Sequence, residues 1–291
     1  MTPRRTGLHC HHGVSGVNGR SRQAAYQHVC WRYDDRAALH AQARAFLLEG
    51  LALGERIWYV TSEPDPVADQ LREEPLIRDA IRRGAARIVP LGSAYAHDHI
   101  VDPDDQVRAY ATATEDALAA GHTGLRVAAD ATALVRTPAQ RDAFARYEHL
   151  IDRYMRVRPM SAMCAYDRRL LGDEAVRELA CLHPGNNADD VLFRLYAETP
   201  GDGHAALVGE LDASNHDLFR AALERADPRP AAGRLVVEAT DLRFIDHRNL
   251  IHLRDHARAR GAVAVLRTSR SAAARVAELL DLPELDVEVT R

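Results

Sequence analysis

Apolar positions along the chain alternate between two spacings. Ile57-Trp58-Tyr59-Val60-Thr61, Leu125 to Asp130 and Met160 to Tyr166 are short apolar runs, as expected of strands covered on both faces. Between them, apolar residues recur every three or four positions. Leu39, Ala43, Phe46, Leu47 and Leu51 predict one helix, Gln106–Ala120 and Gln140–Tyr154 two more, and Ala175–Leu182 a closing one. His28–Asp35 reads as a strand and turn, and Ala86–Leu91 as a further strand. Val67–Arg72 and Leu76–Arg83 read as short helices. Gly50 and Gly54 bracket the predicted end of the first helix, and Gly84 and Gly121 stop later ones. Strands alternating with helices predict βαβ units and a mainly parallel α/β sheet.

The pattern then repeats on a smaller scale. Residues 186–190, inside the Gly/Asn-rich stretch Gly185–Asp190, read as a linker. After it come a strand Val191–Tyr196, a turn Thr199–Gly203 and a returning strand Ala205–Asp212. A helix through Leu218, Phe219, Ala222 and Leu223 follows. Leu235-Val236-Val237 is a buried strand, Leu242 and Phe244-Ile245 dip back into a core, and Asp246 stands as the N-cap of a helix His247–Arg260. Strand Val263–Leu266, helix Ser271–Leu280 and an edge strand Val287–Val289 close the chain. The predicted organisation is a leader over 1–22 without periodicity, disordered by composition, an α/β domain over 23–185, and a smaller α/β domain over 191–291.

Composition narrows the function classes. The 291 residues are 46% hydrophobic, include no Lys, and carry a formal charge of −4, which argues against a general nucleic-acid surface. No apolar run approaches the ~20 residues of a membrane span, and no signal-peptide core is present. A cytoplasmic protein with no membrane and no direct nucleic-acid partner is expected. The four Cys, at 10, 30, 164 and 181, form no C-x-x-C pair. His9-Cys10-His11-His12 lies in the leader, where such a cluster makes an unselective metal site.

Ligands of parallel α/β sheets bind beyond the carboxyl ends of the strands. That rule selects Thr61, Ser62 and Glu63; Asp130 and Thr132; and Tyr166 and Asp167. No G-x-x-x-x-G-K-[ST] motif is present, so an ordinary P-loop site is absent. The predicted ligand cleft comprises His28, Cys30, Tyr33, Thr61, Glu63, Asp130, Tyr166 and Asp167, with Trp58 as a further aromatic wall. The other reading of its carboxylates is as helix caps at strand ends. His28 and Cys30 share one strand face and with Cys164 could ligate zinc or another transition ion; alternatively they are a hydrogen-bonded histidine beside two buried thiols. No fourth ligand is evident from spacing, and no cofactor is identified. Asp246, His247, Arg248 and Asn249 are presented at a helix N-terminus, where free N–H groups favour a partner's anionic group. His216, His252 and His256 read as helix-surface residues. No nucleophile–base–orienter set can be assembled, so a non-enzyme is expected. The alternatives are an enzyme using the first-domain cleft, and a scaffold subunit of a sensory assembly.

Two resemblances add to this reading. Leu242-x-Phe244-Ile245-Asp246-His247-Arg248-Asn249-Leu250, with Gly209-Glu210-Leu211-Asp212 before it, resembles the STAS domain of anti-sigma factor antagonists over about 191–291. The family pattern has Ser-Ser-Gly where this chain has His247-Arg248-Asn249, and its second Ser accepts phosphate from a partner anti-sigma kinase. Arg248 cannot. The resemblance therefore implies an anti-sigma factor or related regulator as partner, without the usual phosphorylation cycle. His28-x-Cys30-x-x-Tyr33-Asp34-Asp35, Gly50-Leu51-x-x-Gly54-Glu55, Tyr59-Val60-Thr61-x-Glu63, Glu148, Cys164-x-Tyr166-Asp167 and His183-Pro184 resemble the MEDS sensory domain over about 26–185. That resemblance implies a RecA-like α/β layout without a phosphate loop, and sensing of a small ligand. Together the two imply a bacterial signal-transduction regulator that senses a small molecule, or a redox or metal state, and binds a partner protein.

Overall fold

The computed structural model describes residues 27–95, 100–198 and 204–290. The predicted leader with its His9–His12 cluster, and the turn Thr199–Gly203, lie outside them. The first half runs β1 (His28–Tyr33), α1 (Arg36–Ala52), β2 (Arg56–Thr61), α2 (Pro64–Glu73), α3 (Pro75–Arg82), β3 (Ala86–Pro90) and α4 (Leu91–Ala94). It continues through α5 (Pro103–Ala119), β4 (Leu125–Asp130), α6 (Pro138–Met155), β5 (Met160–Asp167), α7 (Arg168–Leu171), α8 (Asp173–Ala180) and β6 (Gly185–Asn186). These strands form one six-stranded parallel sheet in the order β3-β2-β4-β5-β1-β6.

The predicted apolar runs are its centre. Every residue of β4 and β5 is buried, because helices cover both faces. One face packs Tyr95, Tyr110, Phe144, Tyr147 and Ile151; the other packs Leu39, Phe46, Leu47, Tyr59 and Ile77. The helix starts follow from chemistry. Asp35 caps α1, Asp102 caps α5, and Thr137 with Gln140 forms a full capping box on α6.

The second half runs β7 (Phe193–Tyr196), β8 (Ala205–Leu211), α9 (His216–Ala226), β9 (Arg234–Ala239), β10 (Leu242–Ile245), α10 (His247–Arg258), β11 (Val263–Thr268), α11 (Ser271–Leu279) and β12 (Leu285–Val289). Its sheet has the order β10-β8-β9-β11-β12, all parallel, with β7 antiparallel to β8. Its core, built on Phe193, Phe219, Leu223, Leu250 and Leu253, also takes in Ala145 of α6, Cys181 and Leu182. Polar contacts seat this sheet on the first half. Arg225 of α9 bonds Asp142 at 2.7 Å and Glu178 at 2.9 Å, and Arg146 donates to the last carbonyls of α9 at Ala226 and Asp227. Leu195 N–H donates to Cys181 O at 2.7 Å.

Two expectations need correction. The predicted linker 186–190 is tied to the first sheet. Gly185–Asn186 pairs with Val29–Cys30, and the Asn187 side chain bonds both backbone groups of Arg32. Paired backbone polar groups hold it there despite its loop-like composition. His256, expected on a helix surface, is buried.

Gly50 and Gly54 bracket the end of α1 at Ala52, as expected, and Gly50 lies buried in its last turn. A Cβ there would lie 2.6 Å from Arg126 Cδ and 2.9 Å from Glu55 Oε2. Gly50→Ala would ordinarily stabilise a helix interior by about 1 kcal/mol. Here overpacking of about 1–3 kcal/mol reverses the sign, so a net loss is expected. The midpoint of urea unfolding checks it; an unchanged or raised midpoint would contradict the packing argument.

Candidate functional site

The predicted cleft resolves into two separate groups. The first lies at the carboxyl ends of β1, β4 and β5. Tyr33 donates its hydroxyl hydrogen to Asp130 Oδ2 at 3.0 Å, Thr132 donates to Asp130 Oδ1 at 2.7 Å, and Asp167 N–H donates to Thr132 Oγ1 at 2.9 Å. Asp167 caps α7 through Arg169 N–H, as the capping alternative held. Burial, helped by the Asp130 carboxylate, pushes the Tyr33 phenol well up. Thr61 and Glu63, at the end of the neighbouring β2, have other partners: Glu63 N–H bonds Thr61 Oγ1, and the Glu63 carboxylate pairs with Arg36 at 2.8 Å. These groups satisfy one another.

The second group lies under α6. His28 begins β1, where Gln27 N–H on Ser161 Oγ (3.0 Å) and Ala162 N–H on Gln27 O (2.7 Å) fix the strand entry. Glu148 and Asp152 stand four apart on α6, hence on one face, and that face is the buried one. His28 places Nε2 2.9 Å from Glu148 Oε2 and Nδ1 3.2 Å from Asp152 Oδ1. Tyr166 donates to Glu148 Oε1 at 2.9 Å. His183, following α8, bonds the Leu179 carbonyl through Nδ1 at 2.9 Å, and its Nε2 lies 3.5 Å from Glu148 Oε2. Cys164 Sγ is 4.0 Å from His28 Nε2. All six residues are buried.

The electrostatics follow from that packing. Burial disfavours the charged form of His28, but the hydrogen bonds to Asp152 and Glu148 outweigh it and raise its pKa to about 9. Burial would raise the Glu148 carboxyl, yet His183 and His28 hold it far below the usual range. Asp152 is also held low, burial being outweighed by His28. Burial, with Glu148 nearby, pushes the Cys164 thiol and the Tyr166 phenol up.

The trio His28, Cys30 and Cys164 is therefore regrouped. His28 and Cys164 come together with Glu148 and His183, while Cys30 is not part of that set. Cys30 is fully buried, and burial raises its thiol pKa. Asp152 was missed from the sequence. Its signal is a pair of carboxylates, Glu148 and Asp152, in phase with Phe144, Ile151 and Met155 on the apolar face of α6.

In the second half, Asp246 caps α10, accepting from Asn249 N–H at 3.0 Å, and its other oxygen meets His216 Nε2 at 2.6 Å. Burial would raise the Asp246 carboxyl, but the Asn249 N–H and His216 hold it low. His247 and Arg248 are exposed. Asn249 is fully buried and faces inward, its amide bonding Asp246 Oδ1, so its side chain is not on the outer surface.

The first half is thus a six-stranded parallel α/β unit with helices on both faces and no phosphate loop. The model of the MEDS family, described as the MEthanogen/methylotroph, DcmR Sensory domain, matches residues 27–184, more than half of the chain. The protein belongs to this family, a sensory one, and its role is in signalling. No curated protein matches the chain. No helix among the described residues is long and apolar enough to cross a membrane.

Proposed function

We propose that the protein is a signal-transduction regulator in which the MEDS half reads a chemical input and the second half, STAS-like, docks an anti-sigma factor of the kinase type or a related regulator. No catalytic step is required. The observation that carries the docking reading is the start of α10: Asp246, clamped by His216, fixes the helix entry, while His247 and Arg248 project into solvent. A helix N-terminus and a fixed guanidinium both favour a carboxylate on the partner. Phe244, exposed on β10 two residues before the cap, supplies an apolar neighbour. Aromatic and Arg side chains dominate the energetics of many interfaces. The second sheet is seated on α6 and α8, the helices beside the His28 network, which favours coupling between the halves. Such coupling is a population shift, requiring the input to bind two arrangements with different affinity.

The test uses purified kinase-type anti-sigma factors of the source cell, each measured against the full chain. Arg248→Glu is expected to weaken binding of the cognate factor at least ~30-fold, the scale of a truncated interfacial charge pair. Arg248 is exposed, so the fold should be unchanged. Equal affinity of wild type and Arg248→Glu, or binding of none of the factors, overturns the docking reading.

A further inference from the structure

We propose that His28 Nε2, Glu148 Oε2, Cys164 Sγ and His183 Nε2 form a four-coordinate site for a divalent first-row transition ion of the zinc class. This deepens the sensing half of the proposed function and rests on that reading only for the meaning of the signal. One ligand atom from each residue lies within 4.8 Å of all the others, with separations of 2.9, 3.5 and 4.0 Å among them. A tetrahedral ion with bonds of ~2.0–2.3 Å sets its ligands roughly 3.3–3.8 Å apart, so small side-chain movements close the site.

An independent observation concerns His183. It is fully buried, and its Nε2 has no hydrogen-bond partner. Its Nδ1 faces the Leu179 carbonyl, which can only accept, so Nδ1 carries the hydrogen. With Nδ1 so engaged, Nε2 is the ring nitrogen that faces the cluster, 3.5 Å from Glu148 Oε2. A buried acceptor without a partner costs about 1–3 kcal/mol, and an ion would remove that cost.

The surroundings suit a metal. Histidine ligands characteristically use their other nitrogen to bond a carboxylate or a carbonyl. His28 has Asp152 in that place and His183 has Leu179 O. Tyr166 holds Glu148 Oε1, leaving Oε2 for the ion. Charge also balances. Without the ion, His28 with a hydrogen on each ring nitrogen offsets Glu148, and Cys164 is a neutral thiol. On binding, the His28 Nε2 proton and the Cys164 S–H proton leave to solvent, and the dication sits between two imidazoles, a carboxylate and a thiolate. Two protons exchange for one dication, and the Asp152 carboxylate has its own cation in Arg156 at 3.4 Å. Four protein ligands leave no open position, so the site holds its ion without activating a water. A mixed N, O and S set suits zinc over calcium or magnesium.

Entry and output are both present. A cavity of about 230 Å³ lined by Gln27, His28, Asp152, Arg156, Pro184 and Gly185 borders the site at His28, the one ligand that lines it. Asp152 Oδ2 accepts Ala197 N–H at 2.9 Å, directly after β7, so the residue that orients His28 also anchors the second sheet.

The test uses the full chain with His9, Cys10, His11 and His12 all replaced by Ala, because that tail cluster could also take metal. The reduced, chelator-treated protein is titrated with Co²⁺, then loaded with Zn²⁺ for X-ray absorption. Expected are one ion per chain, thiolate-to-cobalt absorption, and a shell of one sulfur and three N/O atoms. Cys164→Ser should abolish the thiolate band, and His183→Gln should weaken affinity at least ~10-fold. Cys30→Ser should change neither. Absence of stoichiometric uptake, a shell with no sulfur or two, or uptake indifferent to both Cys164→Ser and His183→Gln overturns the site. If the ligand variants fail to fold, the X-ray absorption of the parent decides alone. Partner-free protein is used, so failure here leaves the docking reading standing, and loss of docking in Arg248→Glu leaves ion uptake intact.

Discussion

Arg126→Leu should destabilise the protein by about 3–5 kcal/mol, the cost of breaking a buried ion pair from one side. Arg126 is fully buried in β4. Its guanidinium bonds Glu55, Glu49 and the Phe46 carbonyl, and lies 4.6 Å over the Phe46 ring. Glu55 is buried too, so the variant strands a carboxylate in the core. The network is also incomplete: Arg126 Nη2 and Glu55 Oε1 have no partners. The double variant Arg126→Leu/Glu55→Leu removes both charges and should recover most of the loss. Burial already raises the Glu55 pKa, against the lowering effect of Arg126. Without Arg126 it rises further. A carboxyl whose folded pKa exceeds its unfolded value contributes stability below the unfolded pKa and loses it as pH rises. Arg126→Leu should therefore be less impaired near pH 4.5 than near pH 8. Urea unfolding of the two variants at both pH values checks this; a double variant as unstable as the single one would refute it.

That network shows where sequence reading stops. Strands β4 and β5 were legible because apolar runs between turn residues leave few other folds, and the βαβ alternation carried the parallel sheet with it. Arg126 was not legible as a buried charge, since Leu125-Arg126-Val127 reads equally well as ordinary alternation. Its partner Glu55 is 71 residues away. Gly50 was legible as a marker of the end of α1, because that is local chemistry; only the tertiary approach of Arg126 reveals it as a space-maker too.

The same physics divides the candidate site. Period-two geometry put His28 and Cys30 on one face of a strand, but could not say which residues of other elements meet that face. Glu148 comes from 120 residues away and Cys164 from 136. Glu148 and His183 were visible as members of a family pattern, not as neighbours of His28. Conversely, the carboxyl-end rule selected Asp130, Thr132 and Asp167, which the fold brings together with Tyr33, yet these groups bond one another. In the second half, the cap at Asp246 was legible because capping is local chemistry. The inward turn of Asn249 was not, because its amide answers to Asp246 and to the Asp212 carbonyl.

Between pH 6.5 and about 4.5 the protein should lose about 2–3 kcal/mol of stability through His256 alone, at 1.36 kcal/mol per unit of pKa shift. Burial is the main cause of its low pKa, about 4; Arg260, just past the end of α10, pushes the same way, while Asp227 and the Pro228 backbone, just past the end of α9, oppose. A histidine whose folded pKa is depressed leaves the unfolded chain binding the extra proton first, so stability falls as pH falls through 6.5 toward 4. Other groups can be separated by window. Glu148, Asp152, Asp212, Asp246 and Glu288 have lowered folded pKa values, so they lose stability only as pH drops below the ordinary carboxylate range. His28, raised to about 9, has its contribution intact below 6.5 and loses it as pH rises through 9. His149 shifts as His256 does, and the more exposed His40, His122, His204 and His252 follow in the same direction. The comparison must therefore be a difference between variants. His256→Gln keeps a donor for the Pro228 backbone and removes the titration; the ring's Nε2 has no partner to lose. Urea midpoints at pH 7.5 and pH 5 should lie closer together in His256→Gln than in wild type. Parallel acid slopes in the two proteins would mean that His256 takes up its proton in the folded state as readily as in water.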